Sequence, residues 1–139
     1  MHRKTFLTFA SLVPMLVGAL ALFAPAVLIV VVKGAETNGA AEVMARTVGV
    51  LLLSIGLVTF LVRGDSDSPT LRAVMIGNLV IQLALMPIDP LAYANGVFVG
   101  LGSFVPNTLL HLGLAAAFAY YLRAMHRSLA SGSAVLTQA

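Results

Sequence analysis

Few side chains in this chain combine chemical capability with a place in or beside a long apolar run: Arg46, Asn78, Gln82, Asp89, Asn107 and His111. Asn78 and Gln82 are four residues apart, as are Asn107 and His111, so on helices each pair shares one face. An imidazole among carboxamides offers donors and acceptors to the polar head of an apolar cofactor such as a quinone, and one ring nitrogen suffices to ligate a haem or chlorophyll-type pigment. A haem held by two imidazoles is excluded, because the other histidines, His2 and His126, are terminal. A plainer reading stands beside this one: carboxamides in membrane helices join one helix to another, and His111 is then a hydrogen-bonded packing residue. No cysteine occurs, which removes disulfides, thiol nucleophiles, iron–sulfur clusters and Cys-rich zinc sites. With no nucleophile, metal cluster or phosphate-binding loop, no catalytic centre is expected and the chain does not read as an enzyme. Met75 and Met86 read as apolar filler rather than thioether ligands.

The elements that must position these residues follow from composition. Hydrophobic residues make up 60% of the chain and charged ones 9%, with a mean hydropathy of +1.01, which places it among integral membrane proteins. The net charge of +3 comes from Lys and Arg flanking the apolar runs, where they suit anionic headgroups; no nucleic-acid partner is expected. The runs predict an all-α, membrane-embedded four-helix bundle with helices over about residues 6–32, 43–62, 69–86 and 96–122. Residues 1–127 form one domain and 128–139 a mobile cytoplasmic tail. The first run is longer than the roughly 20 residues a bilayer needs, so it must tilt or break, with Pro25 as the break. Ala24, Pro25 and Ala26 resemble a signal cleavage site, yet the apolar run continues beyond them, so the expectation is an uncleaved first crossing. Ser68 and Pro69 give the third helix a capping hydroxyl and a proline where no donor is lost.

The fourth run carries the most distinctive pattern. Gly96, Gly100, Ser103, Asn107, His111, Ala115 and Ala119 form a stripe of small and polar groups when the run is drawn as a helix. In a membrane such a face lets another helix come close, so Gly96, Gly100 and Ser103 are expected to be helix-contact residues for a neighbour or a second copy of the chain.

Four crossings put both termini on one side. Arg3, Lys4, Arg63, Arg72, Arg123 and Arg127 then lie with the termini, against Lys33 and Arg46 opposite, which predicts termini in the cytoplasm and a multi-pass protein of a bacterial cytoplasmic (inner) membrane. Counting ~1.5 Å per residue from the inner helix ends puts Asn78, His111 and Gln82 at ~14, ~15 and ~20 Å. Asn107, Arg46 and Asp89 follow at ~21, ~24 and ~30 Å. Charge in lipid is costly, by at least ~2.5 kcal/mol, so Arg46 either reaches the outer headgroups or forms a buried ion pair with Asp89.

The crossing that begins Ala45-Arg46-Thr47-Val48-Gly49-Val50-Leu51-Leu52-Leu53-Ser54-Ile55-Gly56-Leu57, followed by a hydrophilic turn with Arg and two more crossings, resembles the small bacterial four-helix membrane proteins related to DoxX. The resemblance covers the layout of residues 6–123. It implies a cytoplasmic-membrane protein of a group in which some members associate with quinone-linked redox enzymes; the redox cysteines of some relatives are missing here. The leading expectation is therefore a non-catalytic accessory or structural subunit of a larger membrane assembly, redox-linked if the resemblance carries over, whose partners are the lipid bilayer and other membrane subunits or a second copy. The alternative is a bundle in which His111, Asn107, Asn78 and Gln82 bind a quinone, haem or chlorophyll-type pigment, with no metal held except through His111 in the last two cases. A small transporter is the weakest reading.

Overall fold

The computed structural model describes residues 2–136, with side chains described as far as His126. Every regular element among the described residues is helical. Helix α1 spans Arg3–Phe23, α2 Gly39–Leu61, α3 Pro69–Leu85, α4 Ile88–Ala94 and α5 Val105–Leu136. Because α4 prolongs α3 after a short turn, these make four spans long and apolar enough to cross a membrane: Arg3–Phe23, Gly39–Gly64, Pro69–Ala94 and Leu101–His126. The start of α1 and the Met125 region of α5 meet at one end of the bundle, called here the terminal end. There, Arg3 pairs with Asp67 and its Nη2 donates to the Asp65 carbonyl at 2.8 Å, tying the start of α1 to the α2–α3 loop.

Local chemistry explains the boundaries. Ala24 leaves the helical conformation immediately before Pro25, and the chain resumes as a wider π-helical stretch over Val27–Val32. A proline both lacks a donor and restricts the residue before it, so the break falls where the sequence places it. Asn38 caps α2 by accepting from the Ala41 amide at 2.9 Å, starting that helix at Gly39, earlier than residue 43. Ser68 accepts from the Leu71 amide at 3.1 Å with Pro69 in the first turn of α3, as expected. The helix also continues past Leu122 as far as Leu136, so the expected tail is helical through that residue, while positions 137–139 lie outside the described residues.

The fourth crossing requires a correction. The α-helix begins at Val105, not at Gly96; residues 96–104 form turns and a short 3-10 stretch over Leu101–Ser103. Gly96 and Gly100 adopt φ of +72° and +82°, the left-handed region that glycine tolerates. The reason is legible in hindsight: Pro106 belongs in the first turn of a helix, and the glycines at 96, 100 and 102 weaken any helix before it. Gly96 and Gly100 therefore form no helical Gly-x-x-x-Gly step. Ser103 is buried, but its hydroxyl closes on the Gly100 carbonyl at 2.7 Å within its own turn.

Two hairpins compose the bundle. In the first, α1 and α2 touch backbone to backbone: a Cβ on Gly18 would stand 2.8 Å from the Gly49 carbonyl oxygen, one on Gly49 2.7 Å from that of Gly18, and one on Gly56 2.8 Å from the Ser11 carbonyl oxygen. In the second, the side chains of Gln82 and His111 join α3 to α5. Near the terminal end a core of Phe6, Leu7, Ala10, Leu71, Met75, Leu114, Phe118 and Met125 joins the hairpins. Phe6 meets Phe118 edge to face at 4.8 Å and stacks on Tyr121 at 5.0 Å. Large apolar side chains point outward instead on every span, among them Leu16, Leu51, Val80 and Leu109. That inversion suits a lipid solvent, in which apolar surface need not be buried in protein.

Candidate functional site

Toward the end of the bundle opposite the termini, the two hairpins separate around a cavity of about 310 Å³. Its two walls differ in kind. From α1 and α2 come Val13, Pro14, Val17, Ala21, Ala45, Val48, Leu52 and Ile55; from α3, α4 and α5 come Asn78, Gln82, Asp89, Asn107 and His111 among Ile81, Leu85, Leu110 and Leu114. An apolar wall thus faces a polar one inside the membrane-spanning part of the protein.

The polar wall has two layers. In the deeper one, Gln82 Oε1 lies 2.6 Å from His111 Nδ1, which joins α3 to α5. Whichever of the two groups donates, the pair turns one donor and one acceptor toward the cavity: Gln82 Nε2–H with the His111 Nε2 lone pair, or Gln82 Oε1 with His111 Nε2–H. One turn away on α3, Asn78 Nδ2 donates at 2.9 Å both to Thr59 Oγ1 of α2 and to the Val74 carbonyl, while the Thr59 hydroxyl donates to the Ile55 carbonyl at 2.8 Å. The layer farther from the termini is built on Asp89, whose Oδ2 accepts from Lys33 Nζ and, at 2.7 Å, from Asn107 Nδ2. Lys33 Nζ also sits 5.3 Å from the centre of the Phe98 ring, a favourable place for a partly desolvated ammonium.

The sequence-predicted ligand set of His111, Asn107, Asn78 and Gln82 therefore converges on one cavity. The predicted ion pair does not form. Asp89 is paired with Lys33, and Arg46 Nη2 lies 3.6 Å from Glu42 Oε2 one turn earlier on the same helix, about half exposed. The π-helical stretch over Val27–Val32 is the structural reason: it carries Lys33 to the cavity mouth, 21% exposed, after a run whose own side chains are none of them buried. Arg46 sits two turns from the start of α2, half exposed, and takes the reachable carboxylate on its own helix.

Three participants escaped sequence reasoning. Lys33 reads as a membrane-flanking charge, Thr59 as one hydroxyl in an apolar run, and Gly18 as an isolated small residue. Gly49 and Gly56, seven residues apart on α2, were a recognisable signal for close approach, although nothing in the sequence named α1 as the helix approached. Among the described residues no three His, Asp or Glu side chains gather to hold a metal ion.

On the lipid side of the α1–α5 seam lies a smaller apolar groove of about 210 Å³, lined by Phe6, Phe9, Leu110, Gly113, Leu114 and Ala117. Leu110 and Leu114 line both hollows. Fold and site together define a multi-pass membrane protein: a helical bundle with an internal, amphipathic cavity. Comparison with family models, with curated proteins and with solved structures finds no match.

Proposed function

We propose that this protein binds a lipid-soluble molecule with a polar, hydrogen-bonding head, the head against the wall of Asn78, Gln82 and His111 and the apolar remainder against α1 and α2. The observation that carries this reading is a cavity of about 310 Å³ in which Asn78, Gln82 and Asp89, each more than nine-tenths buried, retain polar atoms with no protein partner. None of those atoms is sealed off, because the only sealed and unpaired side-chain polar atoms among the described residues are the hydroxyls of Thr37 and Thr108. Ligand sites are concave, largely apolar hollows of ~300–1,000 Å³ with a few convergent polar groups. The apolar groove that shares Leu110 and Leu114 with the cavity supports an occupant with an apolar tail.

Binding of this kind suits an accessory subunit of a membrane assembly that holds a carrier for a catalytic partner. Resemblance to the DoxX-related proteins supports that role, as well as a bacterial cytoplasmic membrane with both termini inside, where the charge asymmetry also points. Of the cofactors considered, a quinone-class molecule has the simplest match. A haem or pigment on His111 is the second reading, favoured by the Gln82 bond that leaves Nε2 as the free ring nitrogen.

The test is gentle purification followed by an absorbance spectrum and mass spectrometry of the lipids and proteins retained. A stoichiometric neutral lipid that disappears in Ala45→Phe, which fills the cavity from α2, is the expected result. A Soret or chlorophyll band lost in His111→Leu would transfer the proposal to the pigment reading, and an empty cavity in an intact assembly would leave only the structural role.

A further inference from the structure

The proposal above leaves the chemistry of the head open, and the hydrogen-bond directions in the polar wall narrow it. Asn78 Nδ2 faces the Val74 carbonyl, which can only accept, so the amide is fixed with both its protons used and Oδ1 left free. Asn107 Nδ2 faces the Asp89 carboxylate in the same way, which leaves Asn107 Oδ1 free. The Gln82–His111 pair leaves one donor and one acceptor in either tautomer, and Asp89 Oδ1 has no protein donor. The wall therefore presents fixed acceptors at both layers, Asn78 Oδ1 in one and Asn107 Oδ1 and Asp89 Oδ1 in the other. The protons that remain belong to the Gln82–His111 pair, to one N–H of Asn107 and to Lys33, whose charge is already committed to Asp89 and Phe98.

We infer that the head is a hydrogen-bond donor: a hydroxyl-bearing lipid rather than one whose head offers carbonyl oxygens alone. This rests on the cavity being a ligand site. Asn78 and Gln82 stand one turn apart on α3 and Gln82 is bonded to His111, so a single small head reaches all three. A hydroxyl there donates to Asn78 Oδ1 and accepts from the donor of the Gln82–His111 pair. A ketone accepts from that pair and leaves Asn78 Oδ1 desolvated without a donor, and a site built to bond a hydroxyl discriminates strongly against an analogue that lacks it.

A quinol and its quinone are the sharpest probes, because they share a skeleton and differ in head protons. Affinities of a decyl-tailed quinol and the matching quinone would be measured on the full chain in nanodiscs under anaerobic conditions, with a diacylglycerol as a third ligand. The quinol is expected to bind at least about tenfold more tightly, the effect of one hydrogen bond's worth of ~1.4 kcal/mol. In Asn78→Leu, which roughly keeps the volume and removes the fixed acceptor, the preference is expected to shrink; should that variant fail to fold, the ratio for the natural sequence decides alone. Binding of diacylglycerol with neither quinoid form supports the hydroxyl head in a different lipid. Equal affinities, or tighter quinone, overturn the donor head while leaving the cavity a ligand site. If none of the three binds, the ligand-site reading falls with it.

Discussion

The two hairpins solve one problem in opposite ways. Lipid supplies little hydrophobic drive to bring helices together, so contact must come from close packing or from polar bonds across the interface. The α1–α2 hairpin uses the first means: Gly18 and Gly49 let the backbones meet, and no polar side chain is needed between them. The α3–α5 hairpin uses the second, with Gln82 bonded to His111 and, at the far end, Asn107 bonded to Asp89 of α4. Close packing leaves no room for anything else, whereas polar bonding between separated backbones leaves unused donors and acceptors beside a space. Function, in this protein, is expected on the hairpin that packs less tightly.

Breaking the tight hairpin should have the largest effect. Gly49→Leu places a branched side chain where even a Cβ stands 2.7 Å from the Gly18 carbonyl oxygen and 2.8 Å from the Leu22 nitrogen. Overpacking against backbone of this kind costs about 3 kcal/mol or more, read as loss of folded protein in a detergent unfolding titration. Gly77→Leu on α3, where an added Cβ meets nothing within 4 Å, should change the same midpoint little. Similar losses for both would sink the contrast between the hairpins.

The next effect tests the partner of Asp89. Asp89→Ala strands the Lys33 ammonium and removes an acceptor from Asn107, at a cost of about 2 kcal/mol, less than for a fully buried pair because Lys33 is 21% exposed. Adding Lys33→Met should recover part of that loss, a coupling that the pair Arg46→Ala and Asp89→Ala should lack. Strict additivity for Lys33 with Asp89 would return Arg46 to consideration.

His111→Leu and Gln82→Leu should each lower stability by about 1 kcal/mol, and the double variant by less than the sum, because each breaks the same bond. Both should also release the bound lipid measured by mass spectrometry. Full retention of that lipid in both would detach the polar wall from binding.

Smaller effects belong to the stripe that proved not to be helical. Gly100→Ala is expected to cost about 1 kcal/mol through its φ of +82° alone, with unchanged oligomeric state in size-exclusion chromatography, since Gly96 and Gly100 form no helical Gly-x-x-x-Gly step. Arg46→Ala, which loses only a half-exposed pair one turn long, should cost about 0.3–0.5 kcal/mol.

Much of the fold was legible in the sequence, and for particular reasons. Apolar runs of membrane length leave a helix little choice, because backbone groups in hydrocarbon must be satisfied within the segment. The break at Pro25 and the start at Ser68 and Pro69 depend on side chains at those very positions, so they too could be read directly. The start of the last helix was also encoded, in Pro106, but the small-residue stripe drew attention past it. Asn78, Gln82, Asn107 and His111 of the polar wall were identifiable because uncharged polar groups at mid-depth must find protein partners.

Partner choice was not legible. Lys33 and Arg46 are both cations at the end of the bundle opposite the termini, and composition treats them alike. Which of them meets Asp89 depends on how far a π-helical stretch carries the chain and on which way α2 is rotated, and the latter is set by Gly18 and Gly49 in contact with each other. The cavity has the same origin. Residue types determined that an apolar bundle with a few intramembrane polar groups would form; only the unequal spacing of the hairpins, backbone to backbone on one side and side chain to side chain on the other, decided that those groups would line a shared space.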